Sequence, residues 1–164
     1  MAARGVVFIH AAAAALCPHV EWALSGVLGE QVSLDWTEQP VAPGAWRAEL
    51  SWVAAPGTGA LLASALTGWT HLRFEVTEEP SAGCDGARFA YTPTLGLFHA
   101  VTGAAGDLWV GEDRLRAALA RADGDVEALA TDLRRALGGP WDDELEAFRW
   151  AGEGAPVRWL HRVV

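Results

Sequence analysis

An α+β fold follows from three features of the chain. Residues 1–78 carry hydrophobic patterns in the order βαββαβ, aliphatic residues are spread along the whole length, and no repeat or linker divides it. With 164 residues, 51% of them hydrophobic, the chain can bury one full core. The βαββαβ order is that of a ferredoxin-like or split βαβ unit, an antiparallel sheet with two helices on one face. Residues 79–164 are expected to extend this unit with further antiparallel strands and a C-terminal helical segment, all within a single domain spanning 1–164.

Gly5–His10 is β-branched and aromatic and reads as a short buried strand. Pro18 suits the first position of a helix running to Leu28, with Cys17 as its cap residue and Gly29 as its stop. Val20, Leu24, Val27 and Leu28 form one stripe of that helix. Trp22 falls opposite, with His19 and Gly26 beside it. Gln31–Thr37 alternates with Val32, Leu34 and Trp36 on one face, and Trp46–Val53 with Trp46, Ala48, Leu50 and Trp52 inward. Pro56-Gly57-Thr58-Gly59 breaks the chain before a helix marked by Leu61, Leu62, Ala65, Leu66 and Trp69. His71–Thr77 closes the first half, with Leu72, Phe74 and Val76 opposite His71, Arg73 and Glu75. Further on, Arg88–Thr92, Leu95–Val101 and Asp107–Val110 read as strands and Glu112–Ala122 as a helix. Asp125 is placed to cap a helix carrying Val126, Leu129, Leu133 and Leu137, which stops at Gly138. Trp141, Leu145 and Phe148 mark a last helix, and Pro156–Val164 a last strand.

The formal net charge is -9, and every one of the 12 basic residues is Arg. An acidic surface argues against a sequence-independent grip on nucleic acid or on an anionic membrane. The absence of Lys removes Schiff-base and P-loop chemistry. No apolar run is long enough to span a bilayer. Arg4 and the apolar stretch to Leu16 resemble a short leader, but His10 interrupts the run and Leu16 is too bulky before a cleavage site. A cytoplasmic location is expected.

Several residues are candidates for function. Cys17 at a helix N-terminus, two residues from His19, invites a lowered thiol pKa; the competing reading is a small, buried, unreactive residue. Cys17, His19, Cys84 and His99 match no finger spacing, so no metal site is assigned. The backbone N–H groups of Gly57, Thr58 and Gly59 suit a phosphate or carboxylate, although the stretch is too short for a dinucleotide fingerprint. Asp142, Asp143, Glu144 and Glu146 are read as acids favouring a helix N-terminus, with a divalent cation as the alternative. Ser33, Asp35, Arg47, Glu49, Arg73 and Glu75 are expected on the outer sheet face, which is read as solvated and self-paired, or else as a ligand or partner surface. Cys17, His19, Trp22 and Gly26 form a candidate interaction face.

These residues favour a non-enzymatic protein-interaction or regulatory module, with a protein partner or self-association and no cofactor. The alternative is a small-molecule binder or enzyme for a phosphate-bearing ligand, such as an acyl-CoA-type metabolite, at Gly57-Thr58-Gly59.

Several motifs carry a resemblance. Cys17-Pro18-His19-Val20-Glu21-Trp22-Ala23-Leu24, Gly57-Thr58-Gly59, Leu72-Arg73-Phe74-Glu75-Val76-Thr77-Glu78, Leu95-Gly96-Leu97 and Gly111-Glu112-Asp113-Arg114-Leu115-Arg116 resemble an actinobacterial family catalogued as domain of unknown function 3145. The resemblance implies a cytoplasmic single-domain protein whose relatives neighbour fatty-acid-synthesis genes, and it implies no particular chemistry. Cys84 lies outside the family pattern, so a Cys17–Cys84 disulfide is not expected.

Overall fold

The computed structural model describes residues 1–151; the strand expected at Pro156–Val164 lies outside them. Strand β1 (Ala3–Ala13) is central, antiparallel to β3 (Ala45–Ala54) on one side and to β4 (Arg73–Glu78) on the other. With β2 (Thr37–Glu38), β5 (Gly86–Thr92), β6 (Gly96–Thr102) and β7 (Leu108–Trp109) they form a 7-stranded sheet in the order β2-β3-β1-β4-β5-β6-β7. Every pairing is antiparallel. Together with the five α-helices among the described residues this makes a mixed α+β protein.

β1 can be central because Val6, Val7 and Ile9 favour strand and are buried on both faces. Gly5 is required where three strands converge. A Cβ there would lie 1.8 Å from the Thr77 carbonyl oxygen and 2.7 Å from the Trp52 ring.

Helix α1 (Cys17–Leu28) packs Val20, Ala23 and Leu24 on the sheet and stops at Gly29, which takes φ 72°. Cys17 is not its cap. A 3₁₀ turn at Ala14–Leu16 runs directly into the helix, so Cys17 already has helical dihedrals and Leu16 is the cap residue. The expected strand at Gln31–Thr37 shrinks to β2. The Val32 N–H donates to Ser25 Oγ at 2.9 Å and the Leu34 N–H to Glu21 Oε1 at 2.8 Å, so α1 side chains replace a strand neighbour. Asp35 is therefore exposed on a connecting segment, off the sheet.

Helix α2 (Thr58–Leu66) lies beside α1 and buries Leu62, Ala63 and Leu66. The apolar core fills the space beneath both helices, around Val7, Ile9, Leu24, Phe74 and Val76. Helices α3 (Glu112–Ala122) and α4 (Val126–Ala136) pack on each other. Asp125 caps α4 as expected, accepting from the N–H groups of Glu127 and Ala128. The stripe expected on α4 is only partly covered, since Val126 and Leu137 are exposed.

Helix α5 (Gly139–Arg149) crosses the second face of the sheet. Trp141 and Leu145 meet Ala90, Phe98 and Ala100 in a smaller apolar cluster. This placement corrects the reading of the outer face as solvated. Glu75 and Arg88 are 2% and 3% exposed beneath α5, while Arg47, Glu49 and Arg73 are half-buried.

Candidate functional site

Three sites can be built from the described residues. The first is an ionic cluster between the sheet and α5. Neighbouring antiparallel strands bring His10, Glu75 and Arg88 to one face, and the helix supplies Asp142 and Arg149. Arg149 clasps Glu75 with Nε at 2.9 Å and Nη2 at 2.5 Å, while His10 Nε2 lies 2.8 Å from Glu75 Oε2. Arg88 Nη2 reaches Glu75 Oε1 at 3.2 Å and Asp142 Oδ1 at 2.5 Å, and Arg149 also donates to Asp142. Burial by itself would raise the Glu75 pKa. The hydrogen bonds and charge of His10 and Arg149 outweigh it and hold the carboxyl well below the usual range. Arg149 is shifted upward: burial opposes its charge, and Glu75 and Asp142 more than compensate. The acids read as a helix-dipole cluster thus have specific partners, Asp142 in this network and Asp143 with Arg134. Of the other outer-face residues, Arg73 stacks over the Phe148 ring at 4.7 Å and Arg47 donates to the Ala151 carbonyl. Burial lowers the Arg47 pKa, and the Glu49 charge opposes that. The network's members hold one another, and its chemistry is the anchoring of α5.

The second site is the turn entering α2. The Gly57 N–H donates to Glu78 Oε1 at 2.7 Å and the Gly59 N–H to Glu78 Oε2 at 2.8 Å. The anion-binding groups read from the sequence are thus engaged by a carboxylate from the end of β4. The same contact explains the glycines. Gly57 takes φ 91°, and a Cβ on Gly59 would lie 2.9 Å from Glu78 Oε2. Thr58 is buried and donates its hydroxyl to the Ala55 carbonyl oxygen.

The third site is the outer side of α1. Trp22 is 75% exposed. Beside it runs a groove of about 610 Å³, lined by Pro18, Glu21, Trp22, Gly26, Glu30 and Val32 among others. Its far wall is the connecting segment after α1, tied to the helix by the Leu34 and Trp36 contacts with Glu21 and by Ser25. A Cβ on Gly26 would meet nothing within 4 Å, so the notch inferred from the sequence is open. Cys17 and His19 sit at the N-terminal end of the helix. Cys17 is free and half-buried; burial and the Glu21 charge push its thiol pKa up, the reverse of an activated thiolate. His19 is exposed and lies against Trp69.

Cys84 is exposed in a turn, and His99 stacks on Phe89 at 4.6 Å. Among the described residues, no three or more His, Cys, Asp or Glu side chains gather in a way that could hold a metal ion. No helix among them is long and apolar enough to cross a membrane.

Sequence reasoning missed Glu21, Glu78, Asp142 as an ion-pair partner, and Arg149. Only Glu78 left a legible signal: two glycines at a helix entrance ask for an anion, and a carboxylate ends the strand that returns beside it.

No curated protein matches the chain, and no solved structure does. The sequence model described as "Protein of unknown function (DUF3145)" matches residues 6–162, almost the full length. The chain therefore belongs to the domain of unknown function 3145 family.

Proposed function

We propose that this chain is a non-enzymatic protein-interaction or regulatory module whose contact residue is Trp22. The observation that carries this reading is a large aromatic three-quarters exposed at the rim of an open groove. Exposed Trp side chains of this kind are common binding hot spots, each worth about 2 kcal/mol or more. The buried charged cluster supports the same reading, because its groups pair with one another under α5. We further propose that residues 1–78 follow a ferredoxin-like plan, which the strand order β2-β3-β1-β4 supports. On the resemblance alone, we place the protein in the cytoplasm and beside fatty-acid synthesis.

The test is sedimentation and native pulldown of wild type and Trp22→Ala. An association present in wild type and weakened in the folded variant is expected. Identical association in both overturns the reading. The alternative ligand, a phosphate-bearing metabolite at Gly57-Thr58-Gly59, would have to displace Glu78 from both N–H groups. A thermal shift with acyl-CoAs that Glu78→Gln enlarges would favour it.

A further inference from the structure

The chemistry of the groove specifies its occupant, an inference that rests on reading Trp22 as an interaction residue. We infer that the groove takes an Arg- or Lys-bearing segment of a partner protein. The cation stacks on Trp22 and reaches Glu21 and Glu30, and an adjacent apolar side chain fills the notch over Gly26.

Four observations carry this. Glu21 is held in one orientation because its Oε1 accepts from both the Leu34 N–H and the Trp36 indole N–H, which fixes its carboxylate at the groove wall. A preset carboxylate loses little freedom on binding a cation. Glu30 adds a second carboxylate, and no basic side chain lines the groove among the described residues. The exposed Trp22 ring offers its face to a cation. Gly26 leaves open space for an apolar group. A second copy of the chain is a poorer occupant, because each carries a net charge of -9 and two copies repel one another at low salt.

Random peptides displayed on phage and panned on the full chain at low salt supply the probe. The strongest binder is then titrated against wild type, Trp22→Ala, Glu30→Gln and Gly26→Leu. Expected is a peptide with Arg or Lys beside an apolar residue, whose binding weakens with salt. Its affinity should fall about tenfold with Trp22→Ala and about threefold with Glu30→Gln. Gly26→Leu should abolish binding while the thermal melt is retained, which separates blockage from misfolding. Binders that are neutral, acidic or insensitive to salt, yet depend on Trp22, overturn the cationic occupant and leave the interaction reading standing. Binding unchanged by Trp22→Ala overturns both. Failure to recover any peptide, or self-association that Trp22→Ala abolishes, overturns the cationic partner as well.

Discussion

The two faces of the sheet are held by different physics. Under α1 and α2 the contact is apolar and made mostly within the first half of the chain: Phe74 and Val76 meet Leu24, Leu62 and Leu66. Under α5 a small apolar cluster around Trp141 and Leu145 is joined by a buried ionic contact that is long-range: Glu75 meets an Arg 74 positions away. Apolar contact is non-directional and tolerates imperfect fit. Buried ion pairs demand that every partner be present, because removing one strands the others without water. The first face therefore specifies that a sheet and helices pack, and the second specifies where α5 sits.

The largest effects should show this contrast most clearly. Phe74→Ala, on the apolar face, is expected to cost about 3–5 kcal/mol. Glu75→Ala, one residue further on, should cost a similar 3–5 kcal/mol or so by removing the buried carboxylate shared by His10, Arg88 and Arg149, with Asp142 still beside the two Arg side chains. The two losses differ in how they are repaired. Replacing Glu75, Arg88 and Arg149 together by Leu and Met should restore much of the stability, since well-packed apolar groups often match a buried ionic set. Urea midpoints of the single and triple variants measure this, and a triple variant worse than Glu75→Ala would contradict the ionic account of this face.

Acid should separate the faces too. Glu75 has a folded-state pKa held below its unfolded value, which is about 4.3 for an unperturbed Glu. In the range below that value the unfolded chain binds the extra proton, so stability falls as pH falls. Above it the contribution is fully present. Urea midpoints across that range should drop steeply in wild type and less steeply in Glu75→Gln, with Phe74→Ala parallel to wild type. Parallel curves for wild type and Glu75→Gln would remove Glu75 from the acid limb.

A smaller effect belongs to Glu78, which joins β4 to α2. Glu78→Ala leaves the buried Gly59 N–H unpaired and the Gly57 N–H, at an exposed turn, without its carboxylate, and should cost about 1–3 kcal/mol. Glu78→Gln keeps one acceptor and should cost less. Equal losses would mean that the carboxylate's paired oxygens do not act as the geometry indicates.

What the sequence made legible follows from the same contrast. The apolar face could be read from local periodicity: Leu72, Phe74 and Val76 alternate, and Val20 and Leu24 recur one turn apart. The ionic face could not, because Glu75 and Arg149 are individually ordinary surface-type residues and only the tertiary fold pairs them. The failed strand at Gln31–Thr37 teaches the same lesson on a smaller scale. Its alternation is real, and Val32 and Leu34 are buried, but its N–H groups bond Ser25 and Glu21 on the helix. Periodicity reports which side is buried and says nothing of where the backbone finds its partners. Trp22 was legible for the simple reason that its direction depends on the helix alone.

The smallest stability effects should come from the outer side of α1, which neither face needs. Gly26→Ala places a methyl group in open space within a helix, so the fold should gain about 1 kcal/mol. Trp22→Ala should change stability by no more than about 0.5 kcal/mol, because the side chain is mostly in water already. A Trp buried as Phe74 is would instead cost about 3–5 kcal/mol. The two substitutions thus contrast a residue that packing does not require with residues that it does. A large loss of stability in Trp22→Ala would place the ring in the core's service and leave the groove without a reason to be exposed. A near-silent melt, combined with weakened association, is the pattern of a contact residue kept at the surface for something outside this chain.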